Sequence, residues 1–199
     1  MIRTVAGVLL AIVFLALLFA APHFLPQGIE GLTQSEIAQI GPGFTGTRYI
    51  DGWTLVCGSE AAQGAKEEQT AATAQIGRCR MARAFQDTRG QVLLTLAFRY
   101  AGPAKALTMI VRFPPVGHKG QYLVVGLGPK SAIRVPVFGC VKTSCVAVGA
   151  LIPAAANVLA GSPHARVLLP PGADGKQYMM GISLNGLAQG LAGMHRAEL

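Results

Sequence analysis

Acidic side chains are scarce in this chain, with nine Asp and Glu among 199 residues. They are scattered, and the adjacent Glu67 and Glu68 point apart on an extended strand, a poor pair for general acid–base work. The histidines His23, His118, His164 and His195 lie far apart in four different local contexts. His118, beside Lys119 in a glycine-rich loop, reads as a surface histidine rather than a ligand or base. There is no Gly-x-Ser-x-Gly elbow to present a nucleophile. Gly126-Leu-Gly128-Pro-Lys-Ser131 faintly resembles a phosphate loop, but it lacks the Walker spacing and the following helix. Cys-x4-Cys and the long gap between Cys57 and Cys79 fit no usual tetrahedral zinc spacing. These absences leave no catalytic residue, cofactor or metal to name. The expectation is a binding protein, not an enzyme.

What charge there is runs basic. Lys and Arg number 17, for a formal net charge of +8. Such a balance permits nucleic acid, anionic lipid or acidic polysaccharide as partners without choosing among them. Nucleic-acid binding asks for aromatic residues interleaved with the charges and for access to the cytoplasm. Neither condition holds, so no nucleic acid is expected. Arg78 and Arg80 should share one strand face, with Arg89 and Arg99 near. That face is either a partner-binding surface for acidic groups or lipid headgroups, or simply solvated.

The N-terminus sets the compartment. Arg3 precedes Val5–Phe19, which carries no charge, and the next charged residue is Glu30. This is the pattern of a secretory signal. It is also long enough for a retained anchor, because Val5–Leu25 supplies about 21 mostly apolar residues where a bilayer needs roughly 20. Cutting after Ala20 leaves Leu18 at the third position back, and cutting after Ala21 puts Phe19 there with Pro22 next. That poor cleavage context favours retention. No cysteine follows the apolar run, which excludes a lipoprotein. Either way, Arg3 holds the N-terminus inside and the remainder is exported.

Four cysteines in an exported chain read as two disulfides with three pairings open. Val135–Leu151 has two apolar runs around a tight link, Val141–Ser144, with Cys140 and Cys145 at its ends. Cysteines facing each other across a hairpin mouth can reach bridging distance. The favoured pairing is therefore Cys140–Cys145 with Cys57–Cys79. A reactive thiol at Cys79, whose flanking Arg78 and Arg80 would lower its pKa, is the weaker alternative.

The body of the chain alternates. Trp53, Leu55 and Cys57 share one strand face. Arg78–Phe85 is the next strand, with Cys79, Met81 and Phe85 on one parity. Val92, Leu94, Leu96 and Phe98 form an inward row. Leu107–Phe113, Tyr122–Leu127, Ile133–Phe138, Arg166–Leu169 and Gln177–Ile182 complete a series of short strands. Turn residues lie between them, in a chain with 25 glycines and 12 prolines. About nine such strands predict an all-β fold, a β-sandwich or barrel, with the sandwich favoured. Ser183–Met194 changes period: Leu184, Leu187, Leu191 and Met194 mark a short amphipathic helix with Ser183 as N-cap. Gly186, Gly190 and Gly193 lower its propensity, so packing must hold it.

Several short motifs occur together in order: Trp53-Thr-Leu-Val-Cys57, Cys79-Arg-Met-Ala, Val92-Leu-Leu-Thr, and Pro114-Pro-Val-Gly117. Phe138-Gly-Cys140, Cys145-Val-Ala147 and Ile182-Ser-Leu-Asn-Gly186 follow. On these the chain resembles the invasion-associated locus B family of exported alphaproteobacterial proteins, over roughly Gly52–Met194. The resemblance implies a periplasmic or outer-membrane-associated protein linked to entry into host cells, with no catalytic residues to carry over. The chain departs from the family in its anchor-like N-terminus and its long Gly58–Gly77 loop.

Taken together, the sequence predicts a β-sandwich of about nine strands with a C-terminal helix, preceded by one transmembrane helix. Residues 1–25 form the signal-anchor, 26–46 a linker and 47–199 the exported domain. The expected role is a single-pass inner-membrane binding protein, an accessory subunit or assembly partner of an envelope membrane complex, with its folded domain in the periplasm. The alternatives are a free periplasmic or outer-membrane-associated protein contributing to host-cell invasion, and a thiol-redox enzyme.

Overall fold

The computed structural model describes residues 40–58, 76–129 and 131–199. These lie within one compact unit, Gly31–Leu199. Ten strands appear in the order β1 Gly46–Ile50, β2 Trp53–Cys57, β3 Ile76–Gln86, β4 Val92–Ala101 and β5 Ala106–Phe113. The remainder are β6 Tyr122–Gly126, β7 Ala132–Cys140, β8 Cys145–Ala150, β9 His164–Leu168 and β10 Met179–Ser183. Two helices, α1 Pro153–Gly161 and α2 Leu187–Glu198, complete the set.

The strands form one antiparallel sheet in the order β1-β2-β3-β4-β5-β8-β7-β6-β9-β10. This corrects the expected sandwich. Alternation along each strand reports that one face is buried but not what buries it. Here a single sheet curls into a half-barrel about its own apolar face. The curl has local causes in β7: Ala132–Pro136 pair with β6, while Val137–Cys140 pair with β8. The ladder is irregular between Val137 and Gly139, and a bulge there bends the strand and increases its twist. The β3–β4 ladder has two further irregularities, between Ile76 and Arg80 and between Phe85 and Gln86.

The inward row is continuous across both halves. Trp53, Leu55, Met81, Leu96, Phe98, Val111, Leu123, Val135 and Val167 are among the residues of one buried cluster. Val92, expected inward, is half exposed at the strand's start. The folded unit also begins before residue 47, since Ile40 is fully buried.

Helix α2 covers the β1–β3 end of the apolar face, burying Leu187, Leu191, Met194 and Ala197. Its N-cap falls three residues later than the sequence predicts. Ser183 closes β10 instead of capping the helix, and Gly186 stands at the N-cap with φ of 80°. A Cβ on Gly186 would lie 2.6 Å from Asp51 Cβ and 2.9 Å from the Ile50 carbonyl oxygen. A left-handed φ and that close approach both call for glycine. Further along, a Cβ on Gly190 would collide with the Met81 sulfur. The glycines that weaken the helix thus let it sit directly on the sheet. Gly190→Leu should destabilise the protein by about 1–3 kcal/mol, outweighing the roughly 1 kcal/mol gain in helix propensity. Urea unfolding measures this, and an equally stable variant would show that α2 is not seated there. Helix α1 was not anticipated, although Pro153 at its first turn followed by an Ala-rich run is a start signal.

Among the described residues, no helix is long and apolar enough to cross a membrane. The longest, α2, has 12 residues, or about 18 Å at 1.5 Å per residue, where a bilayer core is about 30 Å. The expected signal-anchor, 1–25, lies outside the described residues. The transmembrane helix, the single-pass inner-membrane placement and the membrane-bound partner complex are therefore not supported. An uncharged N-terminal run of this length serves a signal as well as an anchor, and a weak cleavage site does not separate the two.

Candidate functional site

The cysteines are structural. Cys57 and Cys79 are register partners across β2 and β3, and Cys140 and Cys145 are partners across β7 and β8. Both pairs are bridged, each with Cα atoms 4.0 Å apart, and no free cysteine is present among the described residues. A thiol nucleophile at Cys79 is thereby removed.

The arginines expected to form one face divide. Arg78 donates from Nη2 to the Ala197 carbonyl at 2.8 Å, satisfying one of the orphan acceptors at the end of α2. Next to it, the Cys79 amide donates to Glu198 Oε1 at 2.6 Å. Arg80 is the register partner of Arg99 on β4. Arg89 sits in the β3–β4 turn, 3.5 Å from Asp87. At about 3.3 Å per strand residue, it lies at the other end of the hairpin from Arg78 and Arg80. The structure brings two of the three together.

The histidines remain apart. The His118 amide donates to Gln121 Oε1, so that contact involves its backbone and not its ring. His195 Nδ1 lies 3.3 Å from the Tyr100 hydroxyl. Burial, with the Glu198 charge second, raises the Tyr100 phenol above its ordinary range. His23 is outside the described residues. Among those described, no group of three or more His, Cys, Asp or Glu could hold a metal ion.

A site that local sequence reasoning missed lies on the other half of the sheet. Strand β6 pairs with β9 only over Val124–Gly126, so His164 and Ala165 run past its end. Leu127–Pro129 form the opposite wall, in the turn closed by the Leu127 amide donating to the Ser131 carbonyl at 2.8 Å. The result is a groove of about 620 Å³. Arg166 is in register with Gly126 on one side and Gly181 on the other. Glycine therefore stands beside Arg166 on both neighbouring strands and leaves backbone as the floor. His164 and its register partner Ser183 stand in the next row. No acidic residue lines the groove. A hint was present in sequence: Gly126–Pro129, the first part of the glycine-rich stretch that faintly resembles a phosphate loop, is one wall of this groove.

The short sequence motifs have definite places on the fold. Trp53 donates from Nε1 to the Asn185 carbonyl at 2.8 Å, tying the Trp53–Cys57 motif to the Ile182–Gly186 motif. The chain matches the family described as Invasion associated locus B (IalB) protein over residues 53–195. It belongs to the IalB family. The crystal structure of invasion associated protein B from Bartonella henselae is similar, with a TM-score of 0.59 at 14% identity. That similarity covers 76% of this chain and 96% of the Bartonella chain, and at this identity it speaks to the fold. No curated protein matches the chain.

Proposed function

We propose that this IalB-family chain is a non-catalytic periplasmic or outer-membrane-associated protein that contributes to host-cell invasion. The observation that carries this reading is the family match across 53–195. The match spans nearly all of the β-rich unit and not one motif within it. The disulfides support an oxidising compartment outside the cytoplasm. The family motifs have structural tasks: Trp53 and Asn185 join the two ends of the sheet, and the four cysteines hold two strand registers. With those residues committed to the fold, function falls to exposed surface, and so to binding.

The test is deletion of the gene in the producing bacterium, with cell fractionation of the parent strain. The protein should appear in periplasmic or outer-membrane fractions, and the deletion strain should enter cultured host cells less often. Plasmid-borne wild-type protein should restore entry. Unchanged entry together with recovery in the cytoplasm would overturn the proposal.

A further inference from the structure

We infer that the groove between the β6–β7 turn and β9–β10 is a binding site for a small ligand bearing an oxyanion, carboxylate or phosphate. The argument starts from charge. Arg166 and His164 both line the groove, and no Asp or Glu does. Among the described residues neither side chain has a hydrogen bond or ion pair. Other arginines of this fold are engaged: Arg78 with the end of α2, Arg83 with the Asp51 carbonyl, Arg89 with Asp87. A guanidinium left open presents several donors and no acceptor, and the imidazole beside it adds one more N–H donor, which suits the two or three oxygens of a carboxylate or phosphate.

Space supports the same assignment. The groove's 620 Å³ falls within the range of about 300–1,000 Å³ common for small-molecule sites. Its floor is bare because Gly126 and Gly181 flank Arg166 in register. A Cβ at Gly181 would meet nothing within 4 Å, so no close packing requires glycine there. What that glycine preserves is open space on the strand position beside Arg166. Ser183 adds a third polar group. Its Oγ accepts from the Asn185 amide at 3.3 Å, which leaves the hydroxyl proton to donate to a ligand. Arg166 would bind the charged oxygens, and the uncharged part of the ligand would lie on the glycine floor against Pro129.

The site is testable on the isolated full chain, independently of any invasion assay. Calorimetric titration uses glucuronate, inorganic phosphate and, as a neutral control, glucose. Binding of glucuronate alone supports a carboxylate ligand, and binding of phosphate alone a phosphorylated one. Binding of both supports a general oxyanion site. Arg166→Glu should weaken binding by roughly 10- to 100-fold, the range of a charge-assisted hydrogen bond. Gly181→Val should weaken it by about tenfold or more by filling the floor, in a position where valine suits a strand. Both changes are on exposed positions, so circular dichroism melts should match the parent. The inference is overturned if neither anion binds at tens of millimolar, if glucose binds as well as the anions, or if both variants bind like the parent.

Discussion

Trp53→Ala should cost the fold about 3–5 kcal/mol, the usual range for emptying a large aromatic site. In a domain of this size that lowers Tm by roughly 6–20 °C. The side chain is fully buried. Phe85 meets its ring edge-on at a centroid distance of 6.3 Å, and Phe98 lies at 5.9 Å. The Arg83 guanidinium is stacked 5.2 Å from the Phe85 ring and 6.0 Å from Trp53. It also donates to the Asp51 carbonyl at 3.0 Å, so removing the indole loosens a cation–π cluster as well as a packed core. Trp53→Phe separates these effects. It keeps most of the apolar bulk but leaves the Asn185 carbonyl without its indole donor, which should cost about 1–3 kcal/mol. Thermal unfolding of both variants is the measurement. A loss below 1 kcal/mol for Trp53→Ala would contradict the joint between β2 and the segment after β10.

Removal of the Cys57–Cys79 bridge is the second large effect. The cysteines are 22 residues apart, against 5 for Cys140–Cys145. Chain entropy then assigns about 3 kcal/mol to the longer crosslink and about 2 kcal/mol to the shorter. Context widens the gap. Cys57 and Cys79 are both buried, whereas Cys140 is exposed at a hairpin mouth. The Cys79 amide also binds Glu198 at the end of α2, so slack at this bridge reaches the helix that covers the core. Cys57→Ala/Cys79→Ala should unfold at clearly lower urea than Cys140→Ala/Cys145→Ala. The reverse order would mean that the hairpin at β7–β8, where the sheet turns its corner, limits stability.

Much of the strand pattern could be read directly from residue order. Trp53, Leu55 and Cys57 alternate with Thr54 and Val56, and the strand buries that alternation faithfully. The cysteine pairing followed from the same logic, because residues on one face of adjacent strands can come into register. The weak, glycine-bearing C-terminal helix was legible as an element that needs packing, and Gly190 against Met81 is that packing. Its start was misplaced because Ser183 resembles an N-cap. The β10 pairing with His164 claims that residue for the sheet.

Residue order determined which faces of these strands are apolar, where turns fall and which cysteines could meet, because each depends on neighbours two to four positions away. It did not determine what the apolar faces would be buried against. Two stacked sheets and one curled sheet present the same alternation, and the choice between them rests on the ladder break between Val137 and Gly139 and on α2 filling the concavity. The same limit hid the groove. Gly126, Arg166 and Gly181 are far apart along the chain, and only strand pairing sets them side by side. Arg89 and Arg80 illustrate the converse, being close in sequence but held apart by the length of an extended hairpin. Local periodicity is a short-range property of the backbone, whereas register and curvature are long-range ones that exist only once the strands have paired.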